Sequence, residues 1–216
     1  AFHDYGYTGF YVDITELAVC GAENTVQVDA INHDQPNSRW YSGTGIYRPV
    51  WLYILPERHI VLDGIRVTTL DWKTRKLNIT VETTGEGSVT AQLLDPDSLQ
   101  VMAEQKGSSD SGKFVWELSL PDGKLWSPES PKLYICRAAF GDDVQEVRFG
   151  IRVVECTPEN GFCINGRRVI LRGACIHHDN GLLGACAYDF AERRKIRILQ
   201  ENGYNAVRSA HNPCSK

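Results

Sequence analysis

The sequence predicts a mainly β chain that closes on one strand–helix–strand unit, and three observations carry that reading. Between residue 60 and about 154, apolar and polar residues alternate in seven short runs separated by turn signals, the pattern of an antiparallel sandwich. Residues 1–55 hold shorter stretches of the same alternation. From 169 to 213 the period changes, and an apolar run, a helix-spaced segment and a second apolar run follow one another within 45 residues.

The totals restrict the function classes. A chain of 216 residues with 42% hydrophobic and 23% charged residues is an ordinary globular sequence, long enough for one large domain or two small ones. The net charge of −4 and the lack of a basic stripe argue against a nucleic-acid partner. No apolar run approaches the roughly 18 residues of a membrane span. The chain opens Ala1-Phe2-His3-Asp4, without an initiator Met or a signal-type segment, which reads as processing or excision. Seven cysteines, an odd number with no C-x-x-C spacing, argue against a zinc cage or a disulfide framework and for a reducing compartment. Asn78-Ile79-Thr80 is a formal glycosylation sequon of a kind that arises often by chance.

In the first 55 residues, Phe10, Val12 and Ile14 alternate with polar or small neighbours, residues 21–24 supply a turn, and Val26 and Val28 alternate again. A polar loop then runs from Asn32 to Arg39, and residues 46–55 read as an aromatic-rich closing strand. About 55 residues are few for a closed sandwich. Pro56-Glu57-Arg58 reads as a linker. The seven runs that follow are 60–67, 77–83, 88–94, 101–104, 113–120, 133–140 and 144–153, with turns at 84–87 and 121–123. Their spacing is that of an immunoglobulin-like sandwich, without the Cys–Trp–Cys set of antibody domains.

Residues 162–169 form an apolar hairpin around Asn165-Gly166. Residues 169–176 then read as a strand ending in His177-His178-Asp179, and 189–202 as a helix. Asp189 and Glu192 have capping-box spacing, Ile196 and Leu199 lie three apart, and Gly203 stands at the C′ position. A second strand, 204–207, ends in Arg208-Ser209-Ala210-His211-Asn212-Pro213. A βαβ unit has parallel strands and a right-handed crossover, so both polar clusters lie at strand carboxyl ends, where α/β folds place ligands. Along an extended segment His177 and Asp179 point one way and His178 the other. A structural histidine at a strand end, a turn histidine before Pro213 and a surface arginine are the bland alternatives for His177, His211 and Arg208. His177, Asp179 and His211 could also make a three-ligand metal site, against which the small number of ligands counts.

These residues carry a resemblance. Asn205-Ala206-Val207-Arg208-Ser209-Ala210-His211-Asn212-Pro213 resembles the first signature of glycoside hydrolase family two, the β-galactosidase and β-glucuronidase group. Arg172-Gly173-Ala174-Cys175-Ile176-His177-His178-Asp179 resembles the segment preceding it, on strand one of the family's (β/α)8 barrel. The stretches 38–48 (SRWYSGTGIYR) and 125–134 (LWSPESPKLY) match two further landmarks in the family's order. Four ordered matches across nearly the whole chain are more specific than any one of them.

The resemblance implies three parts: 1–56 as the C-terminal part of a jelly-roll sugar-binding domain, 57–155 as an immunoglobulin-like β-sandwich without chemistry, and 156–216 as the truncated start of a TIM-barrel catalytic domain. The implied whole is a retaining exo-β-glycosidase, first a β-galactosidase. β-Glucuronidase, β-mannosidase and a non-catalytic carbohydrate-binding module are the alternatives. His177 falls on a substrate-contacting histidine, with Asp179 beside it. Arg208 falls on an arginine that keeps the nucleophilic carboxylate ionised, and His211 on a histidine of the active-site floor. Asn212 stands where tyrosine is common, which leaves the subgroup open. Asn32, Asp34 and Arg39 would lie on a loop reaching the sugar, or form a solvated turn. Trp40 and Tyr41 would stack on a sugar face, or pack in a β-domain. Both catalytic glutamates are expected on later barrel strands, so the chain alone is expected to be inactive. No cofactor is expected in this stretch, with Mg or Na an expectation for the full-length enzyme. A β-galactoside-type carbohydrate partner, a homo-oligomer and a bacterial cytoplasmic location complete the expectations.

Overall fold

The computed structural model describes residues 1–33, 45–177, 180–184, 186 and 188–214. Two compact units divide the chain: Leu52–Ile170, and Ala1–Trp51 with Leu171–Lys216.

In the first unit, seven antiparallel strands form two sheets. Strands β1 (Ile60–Asp71), β2 (Lys76–Thr83) and β5 (Lys113–Ser119) pair in the order β1-β2-β5. Strands β3 (Gly87–Leu94), β4 (Val101–Ser109), β6 (Tyr134–Phe140) and β7 (Asp143–Phe149) pair in the order β4-β3-β6-β7. The sequence alternation becomes the core directly. Leu77, Ile79 and Val81 of β2 and Val89, Ala91 and Leu93 of β3 are fully buried, as are Cys136, Ala138 and Phe140 of β6. Each large aliphatic among them stabilises the sandwich by roughly 1.5–3 kcal/mol through removal of its surface from water. Polar groups that enter the core are satisfied: the Thr83 and Ser109 hydroxyls meet at 2.6 Å, and the Tyr134 hydroxyl accepts from the Lys124 amide at 2.7 Å. Burial pushes the Cys136 thiol up to about 12, far from thiolate chemistry. Asn78 lies on the central strand β2, paired with β1 and β5 on either side, which is a poor acceptor site for a glycan.

A three-stranded hairpin sheet continues this unit. Strand β8 (Val154–Thr157) pairs with β9 (Gly161–Ile164), and β9 with β10 (Arg167–Arg168). Asn165 and Gly166 both have positive φ, 51° and 71°, so the two-residue turn is of the primed kind that matches strand twist. The run expected over 144–153 is broken after Phe149, and β8 has no counterpart among the expected runs. Tertiary bonds divide the run: Trp126 N donates to Ile151 O at 3.0 Å, Val153 N donates to Asn165 Oδ1 at 2.9 Å, and Asn165 Nδ2 donates to Trp126 O at 3.0 Å. The Arg152 guanidinium lies 4.4 Å above the Trp126 ring. The 125–134 stretch thus staples hairpin to sandwich.

Residues 1–56 differ from expectation. The strands expected at 10–14, 26–28 and 46–55 are not formed: among the described residues of 1–56 none joins a sheet. Alternation supplies a face, but a strand exists only beside a paired edge, and Phe10, Val26, Val28, Ile46 and Val50 are exposed. Around residue 14 a local bond competes as well. Asp13 Oδ1 accepts from the Thr15 amide at 2.9 Å, while Leu17 and Ala18 amides donate to Ile14 O, so Ile14 opens a turn.

The later half of the second unit forms the expected βαβ element. Strand β11 (Gly173–Ile176) pairs in parallel with β12 (Ala206–Ser209), and α1 (Asp189–Glu201) joins them after a single 3₁₀ turn at Gly181–Leu183. The helix stops as predicted. Gly203 has φ 82°, its amide donates to Gln200 O at 2.9 Å, and Tyr204 N donates to Leu199 O at 3.1 Å, a Schellman ending. The start differs. Tyr188 is the N-cap and its side chain makes no cap bond, so the Asp189–Glu192 capping box is absent. Asp189 and Glu192 instead place negative charge in the first turn, and Glu192 Oε1 accepts from Asn180 Nδ2 at 2.7 Å. No described residue of α1 is buried.

The sandwich gives a pH prediction. The Ser98 amide and then the Lys132 ammonium, 3.0 Å from Asp95 Oδ2, hold the Asp95 carboxyl at about 2. A depressed carboxyl stabilises the fold above its unfolded value of 3.8, and that contribution is lost as pH falls towards about 2. Asp95→Asn is expected to flatten the acid limb of the urea midpoint in this window alone; an unchanged limb would remove Asp95 from the acid response.

Candidate functional site

The site residues stand on the parallel pair. Glycine at 173 permits the approach of the strands: a Cβ there would meet Ala206 O at 2.8 Å. Asn205 fixes the start of the pair, its Oδ1 accepting from the Arg172 amide at 2.7 Å while its own amide donates to Arg172 O at 2.9 Å. At the other end the Ala210 amide donates to Ile176 O at 2.9 Å, and Ala210 is buried. The register that results sets Gly173 against Ala206 and Cys175 against Arg208.

That register decides which side chains meet. Side chains alternate across a strand, so Cys175 and His177 share the face on which Arg208 stands. Arg208 Nη1 donates to Cys175 Sγ at 3.6 Å. The His177 and His211 rings lie edge to face with centroids 5.8 Å apart. His177 is half-buried, while Arg208 and His211 are exposed. A guanidinium and two imidazoles therefore converge at the carboxyl ends of two parallel strands, donors suited to sugar hydroxyls and to a carboxylate. An open cavity of about 680 Å³ beside β11 and α1 is lined by Cys175, Ile176, His177, Phe190, Arg194 and Leu199 among others.

The structure thus brings together three of the predicted site residues. Asn32 lies in the same unit, exposed on the segment that leads into residue 34. Asp179, His178, Asp34, Arg39, Trp40 and Tyr41 lie outside the described residues. Cys175 was missed, because only the strand register discloses its place under Arg208. The contacts of Tyr5 and Arg48 with the loop after β12 were missed too; the 38–48 landmark pointed to Arg48 without its partner. Mg²⁺ and Na⁺ take oxygen ligands, and imidazoles, guanidinium and thiol do not fit such an ion, so no step is assigned to a metal. No helix among the described residues is long and apolar enough to cross a membrane.

Comparison with known proteins adds to this geometry. Residues 59–152 match the model of glycosyl hydrolases family 2, and residues 154–216 match the model of that family's TIM barrel domain. A β-galactosidase of Bacteroides ovatus is 35% identical over 97% of this chain, and a β-glucuronidase of Bacteroides fragilis 28% identical over 98%. The alignments cover 27% and 34% of those proteins. A crystal structure of a glycosyl hydrolase family 2 member from Bacteroides cellulosilyticus superposes with a TM-score of 0.71 at 36% identity, over 82% of this chain and 25% of that one. The chain spans about a quarter to a third of the length of these relatives.

Gly173→Ala tests the geometry. The added methyl is expected to force β11 from β12, so that the Asn205 and Ala210 amides exchange hydrogen at least about tenfold faster. Unchanged protection of both amides would show that the strands do not approach as described.

Proposed function

This chain belongs to glycosyl hydrolase family 2, and from that membership we propose that it is part of a retaining exo-β-glycosidase acting first on terminal β-galactosides. The observation that carries the reading is the convergence of Arg208, His177 and His211 at the β11–β12 carboxyl ends. His177 and His211 hydrogen-bond hydroxyls of the terminal sugar, each imidazole offering a donor and an acceptor in its neutral form. Arg208 holds the nucleophilic carboxylate in its ionised form by proximity of charge.

Retaining hydrolysis takes two carboxyl groups about 5–5.5 Å apart, one nucleophile and one acid/base. The described residues around the strand ends offer no such pair: the Glu192 carboxylate receives Asn180 and Lys195, and Arg208 donates to Cys175 Sγ rather than to a described carboxylate. In this reading the pair stands on further strands of the barrel, and these 216 residues supply binding and charge without the covalent step. β-Glucuronidase is the second reading. An exposed guanidinium beside two imidazoles can also pair with a uronate carboxylate, and the Bacteroides fragilis relative carries that name.

Nitrophenyl glycosides test the proposal. The whole protein is expected to hydrolyse the β-galactoside faster than the β-glucuronide, with Arg208→Ala lowering kcat/KM by about 10²-fold, the scale of one lost charge-stabilising group. The 216-residue chain alone is expected to give no turnover above a heat-killed control. Turnover by the chain alone, or an Arg208→Ala enzyme of undiminished rate, would overturn it.

A further inference from the structure

The loop that carries His211 is held by residues from the opposite end of the chain. Arg48 donates twice to main-chain carbonyls: Nη1 to Tyr7 O at 2.6 Å and Nη2 to Pro213 O at 2.7 Å. Its guanidinium lies 5.0 Å from the Tyr47 ring centroid, and Tyr47 in turn meets Tyr7 edge to face at 6.4 Å. Tyr5 packs against Tyr7 at 5.8 Å and donates its hydroxyl to Asn212 Oδ1 at 3.0 Å. Ser209 Oγ donates to Asn212 O at 2.5 Å and closes the loop on itself. Every one of these residues belongs to the same compact unit.

Two features mark this as more than a surface contact. A guanidinium has a rigid planar fork, so two short bonds to two carbonyls fix both the distance and the angle between the segments that bear them. The clamped atoms also flank the functional side chain: Asn212 and Pro213 are the two residues that follow His211. His211 is itself exposed, and its ring meets His177 edge to face.

We propose that Arg48, assisted by Tyr5, is a positioning residue that fixes the Ser209–Pro213 loop and thereby the His211 ring against His177. The role rests on the glycosidase reading only for its consequence in sugar binding. Arg48 and Tyr5 then act on the site through its loop, without touching the sugar.

Ring and backbone NMR signals of the 216-residue chain test this, with D-galactose as the added sugar. Arg48→Met and Tyr5→Phe are expected to shift the His177 and His211 ring signals and the amides of residues 209–214, and to leave the amides of 60–168 in place. Arg48→Lys, which cannot span both carbonyls with one ammonium, is expected to fall between wild type and Arg48→Met. Arg48→Met is expected to raise the Kd for D-galactose by about tenfold, the scale of one charge-assisted bond. Ring signals unmoved in Arg48→Met and Tyr5→Phe would overturn the proposal, as would full rescue by Arg48→Lys. Should D-galactose leave both rings unmoved in the wild-type chain, the glycosidase reading fails while the brace is still read from the variants.

Discussion

Parallel pairing of β11 with β12 in a single register is the constraint on which the candidate site depends. Because side chains alternate, a slip of one residue would turn Cys175 and His177 to the opposite face from Arg208. The register is held by short-range devices at both ends. Asn205 brackets the Arg172 peptide, Gly173 removes the methyl that would collide with Ala206, and the Ala210 amide closes onto Ile176. Two of these devices are polar and one is steric, and none needs a large core, which suits a pair of four-residue strands with few buried neighbours.

The two units obtain their order by different means. The sandwich is an apolar core closed by two sheets, with its few buried hydroxyls paired and its loops tied by ion pairs such as Lys132 between Asp95 and Asp97. Its stability is hydrophobic and collective. Among the described residues of the other unit only Ala210 is a buried apolar residue, and α1 buries none of its described side chains. There the organisation comes from individual hydrogen bonds: the Schellman ending at Gly203, the Asn180–Glu192 contact and the fork of Arg48. Single substitutions therefore act differently in the two units, through packing in one and through geometry in the other.

What could be read from the sequence follows the same division. Alternation located all seven sandwich strands because most turn a buried face to the core, β4 least with Met102 and Ala103 only half-buried, and Asn165-Gly166 and Gly203 marked their turns because their backbones require positive φ. Alternation failed in residues 1–55, where Phe10, Val26 and Ile46 have a face but no paired edge among the described residues. The capping box failed because Tyr188 took the N-cap position one residue ahead of Asp189. His177, Arg208 and His211 were legible as types at strand ends. Their mutual placement required the register, and neither Cys175 beneath Arg208 nor Arg48 on Pro213 has a signal within its own segment. Contacts made 33 and 165 residues apart in the chain are invisible to periodicity.

In the glycosidase reading proposed for this chain, the arrangement supplies positive charge and hydrogen-bond donors beside the groups that do the chemistry. In that reading the separation has a physical sense: binding groups on one strand pair can be fixed by local bonds, whereas the reacting carboxyl pair must be held about 5–5.5 Å apart with a precision of about an ångström. The central claim is that the parallel register puts both imidazoles on one side of the strand ends. A NOESY spectrum of the 216-residue chain, with the rings assigned through His177→Gln and His211→Gln, measures it directly. Ring-to-ring cross-peaks between His177 and His211 are predicted. Protected Asn205 and Ala210 amides without any such cross-peak would mean the strands pair while the rings stand apart, and would contradict the account.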